Sequence, residues 1–358
     1  MGLIFGGAVV VVVGIAAHLL WPTGDAGADS QNLKKSSIKQ PEPEPFPLLS
    51  EPWRKMSWGD KESDLQYVQN YTPLNKRIKH LRVLLFGPVG SGKSSFINSV
   101  SSSVRGRITQ PAAASSTTSD HSFTTTYQTH DIRRGTSDSF YQLVFNDIMG
   151  LEEGTGRGVR AEDIKLAMMG HVKEGYKFNP VSPLSAGDPD YKPSPSPDDQ
   201  VHVLVCILSA NAVEVKVLEK MRLIREAARD LGIPQMAMIT HIDEACEETE
   251  KDLRNVYKSK HLKKNMKDFR AVVGIPLNYI FPVKNYSEEI DIVDDVDSLI
   301  LSALRRMIDF GDDFIGKMDS SHHKYQKDGW MDWFQWFDYR ILITLLLGFV
   351  ILIRMRMR

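Results

Sequence analysis

A glycine-rich stretch in the first third of the chain has the residue types and spacing that bind phosphate. GPVGSGKSS, residues 87–95, matches G-x-x-x-x-G-K-[ST] at every fixed position. Glycines let the backbone turn tightly and bring its N–H groups close to phosphate oxygens. The pattern predicts that Lys93 reaches the β- and γ-phosphates of a nucleotide and that the Ser94 hydroxyl coordinates Mg²⁺. The predicted contact residues are Gly87, Gly90, Ser91, Gly92, Lys93, Ser94 and Ser95.

The residues on either side of this stretch predict the elements that position it. The run HLRVLLF, residues 80–86, is typical of a buried strand, and an amphipathic helix is predicted to start at Ser95. The helix N-terminus adds a positive dipole where the phosphates would lie. A strand before the loop and a helix after it form the context that a phosphate-binding loop needs. The alternative, a glycine–serine turn with a surface lysine, is therefore disfavoured.

A second predicted strand, Phe140–Phe145, runs into D-x-x-G at Asp147 and Gly150. The pattern resembles the third motif of GTPases. That resemblance implies that Asp147 holds Mg²⁺ through water and that the Gly150 N–H contacts the γ-phosphate. The pattern is short and occurs by chance, but its position after the phosphate-binding loop favours this interpretation.

A third predicted strand, Gln235–Thr240, leads into T-H-I-D, which resembles the guanine-specificity motif [NT]-K-x-D of GTPases. Thr240 and Asp243 are kept, and the Asp243 carboxylate can accept from two guanine donors. His241 stands in place of the lysine that usually stacks along the base. A histidine can also stack, so guanine is the expected base, with an ATP-using protein or a plain surface histidine as alternatives.

A fourth predicted strand, Tyr279–Val283, lies where the fifth GTPase motif would be, but the usual Ser-Ala-Lys is missing. We expect backbone contact to the base from Val283 and Lys284.

Taken together, several strings resemble the interferon-induced protein 44-like family over residues 52–314. They are GPVGSGKSSFINSV, RGRIT, FNDIMGLE, GHVKEGYKFNP, THIDEAC, PVKNYSEE and LILSALRRM. The resemblance implies a Ras-like G domain, binding of GTP and GDP with Mg²⁺, and a place in interferon-linked immune response. It does not imply hydrolysis. Longer members of the family carry an additional N-terminal domain where this chain has an apolar segment and a linker.

The position that decides hydrolysis departs from Ras-like enzymes, which place a glutamine after D-x-x-G to orient water. Here that residue is Leu151, which cannot hydrogen-bond water, and Glu152 and Glu153 follow it. Hydroxyls at 115–118 and 124–126 offer a further Mg²⁺ ligand, and the sequence does not choose among them. We expect slow or partner-dependent hydrolysis, with a nucleotide-binding scaffold without turnover as the alternative.

The rest of the domain alternates strands with helices. Val201–Leu208 is a nearly continuous apolar run, as expected of a central parallel strand, and Val213–Leu231 and Val293–Phe314 have helical periodicity. Asn179–Pro197 is rich in Pro, Ser, Gly and Asp and predicts a long surface loop. The predicted fold is an α/β doubly wound, mainly parallel sheet, a Ras-like P-loop G domain.

Both ends of the chain are apolar. Gly2–Trp21 is long enough to cross a bilayer, and lysines at 34, 35 and 39 then place the domain in the cytosol. A cleaved signal peptide is the alternative, since Ala26-Gly27-Ala28 matches a cleavage site. At the other end, an aromatic cluster precedes the apolar run Ile341–Ile353 and three arginines. That order favours an in-plane or re-entrant membrane helix over a spanning one or a core helix.

The predicted organisation is a membrane anchor (1–22), a Pro/Glu-containing linker (23–78), the P-loop domain (79–318) and a C-terminal membrane-associated segment (319–358). The chain has 358 residues and a net charge of −1, so no positive field attracts nucleic acid. Its two cysteines support neither a disulfide framework nor a zinc site. The expected partners are GTP and a lipid membrane, and self-association stays open.

Overall fold

Six strands form one mixed sheet within the computed structural model, which describes residues 47–113, 124–135, 138–154, 156–211 and 215–318. The strands are β1 (Leu81–Phe86), β2 (Gln128–Arg133), β3 (Phe140–Asp147), β4 (Val203–Ser209), β5 (Gln235–Thr240) and β6 (Ile280–Pro282). They lie in the order β2-β3-β1-β4-β5-β6. Strand β2 runs antiparallel to β3, and the other neighbours are parallel. The predicted doubly wound, mainly parallel sheet is confirmed.

Helices cover both faces of the sheet. They are α1 (Lys61–Gln69), α2 (Lys93–Arg105), α3 (Ala161–Met168), α4 (Val215–Asp230), α5 (Glu247–Lys251), α6 (Lys260–Val273) and α7 (294–318). Short 3₁₀ turns lie at Pro197–Asp199, Leu253–Tyr257 and Leu277–Tyr279. Helices α4 and α7 match the two long helices predicted from apolar periodicity.

The core has two halves, one on each face of the sheet, because successive side chains of a strand point to opposite faces. Leu84 and Phe86 of β1 pack in one half, together with residues of α3, α4 and α6. Val83 and Leu85 pack in the other half, together with residues of α2 and α7. Burial on both faces is the reason why β1 and β4 are apolar at consecutive positions.

Part of the predicted linker is folded chain, because residues from Pro47 onward pack on the domain. The Trp53 ring lies edge-on to Tyr257 with ring centroids 5.4 Å apart. The Arg54 guanidinium donates to the carbonyl oxygens of Ile280, at 2.7 Å, and Leu277, at 2.5 Å. Helix α1, Lys61–Gln69, also lies within the predicted linker. Two aromatic residues and an arginine thus hold the described end of the predicted linker against the domain.

The predicted membrane segments, 1–22 and 319–358, lie outside the described residues. Among the helices that the structure does describe, none combines the length and the apolar character that a membrane crossing requires.

The predicted surface loop before β4 packs against α3. The carboxylate of Asp163, a buried residue of α3, accepts a hydrogen bond from the Leu184 N–H at 2.7 Å. The Tyr191 ring stacks on His171 with centroids 4.9 Å apart. These contacts attach the long loop to the domain at two points.

Candidate nucleotide-binding site

The loop between β1 and α2 leaves no room for side chains at two of its glycines. A Cβ at Gly87 would lie 2.0 Å from the Ile207 carbonyl oxygen of β4, and Gly87 has a φ of 157°. A Cβ at Gly92 would lie 2.7 Å from the Asn285 side-chain nitrogen, and Gly92 has a φ of 86°. Only glycine avoids both the contact and the backbone strain at these positions.

Lys93 is the first residue of α2, and its side chain is buried, with 7% of the residue exposed. Its ammonium donates to the carbonyl oxygens of Pro88, at 3.0 Å, and Gly87, at 3.3 Å. Burial lowers the pKa of Lys93, and the charge of Asp147 opposes that shift. The ammonium therefore lies inside the phosphate loop with neutral hydrogen-bond partners, where an anionic oxygen would stabilise its charge.

Three oxygen-bearing side chains meet at the carboxyl end of β3. The Ser94 hydroxyl donates to Asp147 Oδ2 at 2.5 Å, and Thr124 Oγ1 lies 3.3 Å from the same carboxylate oxygen and 3.4 Å from Ser94 Oγ. Asp147 is 1% exposed, and its second oxygen, Oδ1, is buried without a hydrogen-bond partner in the described chain.

This oxygen set fits Mg²⁺, which prefers hard oxygen ligands in an octahedron. An unpartnered carboxylate oxygen in a buried site costs free energy that a cation or its bound water would remove. The set holds a single carboxylate. A metal ion here would therefore need phosphate oxygens and water to complete its coordination, which would couple metal binding to nucleotide binding.

Of the hydroxyls that the sequence offered as a further Mg²⁺ ligand, Thr124 is the one that the structure brings to Ser94 and Asp147. The group at 115–118 lies outside the described residues. Neighbouring hydroxyl residues look alike in sequence, and the strand β2 that follows decides which one reaches the carboxylate.

Gly150 and Leu151 pack against the phosphate loop. A Cβ at Gly150 would lie 2.6 Å from Val89 Cγ2. The Leu151 N–H donates to the Gly87 carbonyl oxygen at 2.9 Å, and the Leu151 carbonyl oxygen accepts from the Val89 N–H at 3.2 Å. Leu151 is 2% exposed, and its side chain belongs to the core. This buried aliphatic side chain therefore cannot orient water by a hydrogen bond.

A lysine that the sequence did not single out holds the segment after Leu151. The Lys220 ammonium, from α4, donates to the carbonyl oxygens of Glu152 at 2.7 Å, Gly154 at 3.0 Å and Arg157 at 3.4 Å. Burial lowers the pKa of Lys220. One amine thus fixes the loop in which a Ras-like enzyme carries its water-positioning residue. Nothing in the sequence pattern around position 220 signals this role.

The base end of the site begins with Thr240, which is buried at the end of β5. Its hydroxyl donates to the Ser91 carbonyl oxygen at 2.8 Å, so the T-H-I-D segment is tied directly to the phosphate loop. His241 Nδ1 lies 2.9 Å from Thr240 Oγ1, and His241 has a left-handed backbone with a φ of 54°. The histidine is therefore held beside the loop, although its stacking role stays a prediction.

Asp243 is engaged by Lys284, because the Lys284 ammonium lies 3.2 Å from its carboxylate and 2.9 Å from that of Glu289. Burial opposes the charged form, yet the hydrogen bond to Glu289 and the attraction of Asp243 outweigh it and raise the pKa of Lys284. A guanine base would have to bind the Asp243 carboxylate alongside Lys284 or displace Lys284 from it.

The expected base contact of Val283 stays a prediction, and the structure restricts it to groups other than the backbone N–H. That N–H donates to the Ile239 carbonyl oxygen at 2.9 Å inside the sheet. Asn285, which the sequence did not single out, donates from its side chain to the Gly92 carbonyl oxygen at 3.2 Å. Its Oδ1 is buried without a partner in the described chain. An amide side chain three residues beyond the end of β6 was the only signal in the sequence.

The strand order, the glycine loop after β1 and the oxygen cluster beside Lys93 define a P-loop α/β domain of the Ras-like type. Human interferon-induced protein 44 is 32% identical over 258 residues, 71% of this chain and 57% of that protein. Human interferon-induced protein 44-like is 31% identical over 251 residues, 69% of this chain and 55% of that protein. The resemblance to this family is confirmed. The chain spans a little over half the length of these relatives, and no protein-family model matches it.

Solved structures give weaker overlaps. Toc33 from Arabidopsis thaliana, in complex with GDP and Mg²⁺, is 14% identical, with a TM-score of 0.38 over 71% of this chain and 96% of that chain. Elongation factor SelB from Methanococcus maripaludis, in complex with the GTP analogue GppNHp, is 11% identical. Its TM-score is 0.33 over 66% of this chain and 34% of that chain. The fold assignment therefore rests on the strand order and phosphate loop described above.

Proposed function

We propose that this chain is a membrane-associated GTP-binding protein of interferon-linked immune response, with Mg²⁺ as its cofactor and slow or partner-dependent hydrolysis. The observation that carries the proposal is the cluster of Ser94, Asp147 and Thr124 beside the buried ammonium of Lys93. Its buried, unpartnered carboxylate oxygen suits a metal ion, and its lysine suits the phosphates that bring the ion. The immune role is supported by the names of the relatives.

Each residue then has a role in binding. Lys93 bonds the β- and γ-phosphates, and Ser94, Thr124 and Asp147 hold Mg²⁺, which neutralises phosphate charge when bound. The Asp243 carboxylate accepts from the guanine donors, and Thr240 keeps its segment against the phosphate loop. His241 stacks on the base in place of a lysine.

Hydrolysis is slow in the isolated chain because Leu151 is buried, and an aliphatic side chain has no group that could orient water. Turnover then needs a group from a partner, either another protein or a second copy of the chain. A scaffold that binds GTP without turnover is the second candidate, favoured by the loop that Lys220 fixes in place.

Membrane association is proposed from the apolar runs at 2–21 and 341–353, with the P-loop domain facing the cytosol. Carbonate extraction of cell membranes tests attachment, and protease protection tests orientation. The full chain is expected in the pellet, with its P-loop domain open to added protease. Release of the chain into the supernatant would contradict the attachment.

Guanine choice is tested by binding fluorescent GDP to the full chain in neutral detergent, with ATP as competitor and EDTA as metal trap. We expect saturable binding that GTP displaces and ATP does not, and that EDTA weakens. Phosphate release in a single turnover, at low and high protein concentration and with vesicles, then separates the two candidates. Release that rises with concentration or vesicles favours the GTPase, and no release in any condition favours the scaffold.

A further inference from the structure

A second cavity lies at the end of the domain opposite the phosphate loop, between the C-terminal end of α2 and the far end of β2. Its volume is about 470 Å³, within the range of about 300–1,000 Å³ that is typical of small-ligand sites. Helix α2 starts at Lys93 in the phosphate loop and ends at Arg105 in this cavity. The phosphate loop and this cavity thus lie at opposite ends of α2.

Three arginines and one aspartate give the cavity its charge: Arg105, Arg107, Arg133 and Asp131. Burial, followed by repulsion from Arg107 and Arg133, lowers the pKa of Arg105. Arg105 Nε is buried and has no hydrogen-bond partner in the described chain. Arg133 pairs with Asp138 at 3.3 Å, a highly exposed contact of the kind that contributes little. Arg107 and Arg133 therefore make the charge of the Arg105 guanidinium less favourable than burial alone does.

The floor of the cavity is held in shape by α2. The Thr109 hydroxyl donates to Ser101 Oγ at 2.9 Å, and the Thr109 N–H donates to Ser102 Oγ at 2.9 Å. The Asn98 side chain accepts from the Ala112 N–H at 2.8 Å and donates to its carbonyl oxygen at 3.0 Å. A fixed floor means that a ligand would bind here without first ordering the chain.

We propose that this cavity binds a multiply phosphorylated anion of the inositol phosphate class, either free in solution or as the headgroup of a lipid. Guanidinium groups match phosphate oxygens with two parallel hydrogen bonds, and a phosphate on Arg105 would supply the missing partner of its Nε. Several phosphates on one small ring would offer a separate anionic group to each of the three arginines, whereas a single phosphate offers only one.

Two negative groups at the cavity repel an anion and so favour a ligand that carries several negative charges. The C-terminal end of α2 carries about half a negative charge, and the carboxylate of Asp131 carries a full one. Three guanidinium groups outweigh both. Nucleic acid fits less well, because the arginines line one cavity rather than a stripe along a face. The rings of Phe140 and Tyr141 already lie under Arg133 and Arg134, so these rings are not open for stacking with bases.

The test is calorimetric titration of the full chain in neutral detergent, at physiological salt, with inositol hexakisphosphate and with dioctanoyl phosphatidylinositol bisphosphate. The phosphate loop is excluded as the site by repeating the titration with saturating GDP and Mg²⁺ and in Lys93→Ala. The cavity variant is Arg105→Gln with Arg107→Gln. The matched control is Arg222→Gln with Arg229→Gln, which removes the same charge from exposed positions of α4.

We expect saturable binding that weakens at least tenfold in the cavity variant and stays within twofold in the control. If the double variant has a lower melting temperature than the wild type, the single variant Arg133→Gln, at an exposed position, replaces it as the test of the cavity. It should weaken binding about threefold. A stronger response to the soluble phosphate identifies a free ligand, and a stronger response to the short-chain lipid identifies a headgroup. Equal losses in the cavity and control variants, no saturable binding by folded protein, or tighter binding of a single-stranded RNA oligonucleotide would overturn the proposal.

Discussion

The phosphate end and the base end of the nucleotide site are built differently. At the phosphate end, the buried Lys93 lies beside Ser94 and Asp147, and its ammonium donates to backbone carbonyl oxygens of the loop. At the base end, the carboxylate that should select guanine, Asp243, is already paired with Lys284. At the phosphate end a ligand replaces hydrogen bonds of Lys93 to neutral carbonyl oxygens, whereas at the base end it must replace an ion pair.

This difference follows from how each end recognises its target. Phosphate binding uses backbone geometry, one amine and a few oxygens, all placed by a single loop and the neighbouring strand. Base selection depends on side chains from two loops, one after β5 and one after β6, and these loops must be correctly placed relative to each other. We therefore expect substitutions at the phosphate end to have large effects on affinity, and those at the base end to act mainly on the choice of base.

The largest expected effect is that of Lys93→Ala. Hydrogen bonds to charged groups contribute about 1.5–3 kcal/mol each, so GDP affinity should fall about 100-fold. Fluorescent GDP titration measures it. Lys267→Ala, at an exposed position of α6, is the control and should bind as the wild type does. Equal affinity in both variants would remove the phosphate loop from the mechanism.

Asp147→Asn should reduce the Mg²⁺-dependent part of GTP affinity about tenfold, because a neutral amide is a poor metal ligand. The melting temperature of the ligand-free protein should change little, because two effects oppose each other. The amide removes a buried charge whose Oδ1 has no partner, but it also removes the charge that stabilises the buried Lys93 ammonium. GTP titrations with Mg²⁺ and with EDTA, beside thermal melts, separate the two effects. Asp138→Asn, on the exposed surface, is the control. A loss of affinity that is equal with and without metal would contradict the Mg²⁺ site.

Asp243→Asn tests base choice. An amide donates where the carboxylate accepts, so GDP should bind about tenfold more weakly. A xanthine nucleotide, which carries a carbonyl in place of the guanine amino group, should gain affinity. Competition of both nucleotides against a fluorescent probe gives the ratio, with Asp268→Asn on α6 as control. An unchanged ratio would mean that Asp243 does not face the base.

The smallest expected effect is that of Lys284→Met, which keeps the aliphatic stem and removes the charge. Partly exposed ion pairs contribute about 0.2–1 kcal/mol, so freeing Asp243 should tighten GDP binding about twofold to fivefold. The same titration measures it, and Lys264→Met, on the exposed face of α6, is the control. Weaker binding in Lys284→Met would show that the lysine assists the base rather than competing with it.

Much of the site could be predicted from short patterns because its parts are local. The loop at 87–95 forms its own turn and helix start, so seven predicted contact residues stand together in space as they do in sequence. Thr124 could not be chosen from among several hydroxyls, because the choice depends on where β2 pairs with β3. For a related reason, the sequence could not show that the Val283 N–H is used by the neighbouring strand.

The sequence by itself determined the sheet of alternating strands and helices, the phosphate loop, and the aliphatic residue at the water-positioning site. Each of these depends on periodicity or on residues a few positions apart. The tertiary structure alone decided that residues from Pro47 onward fold onto the domain, that Lys220 fixes the loop after Leu151, and that Lys284 engages Asp243. These contacts join segments far apart in the chain, and only the packing of the sheet and its helices brings such segments together.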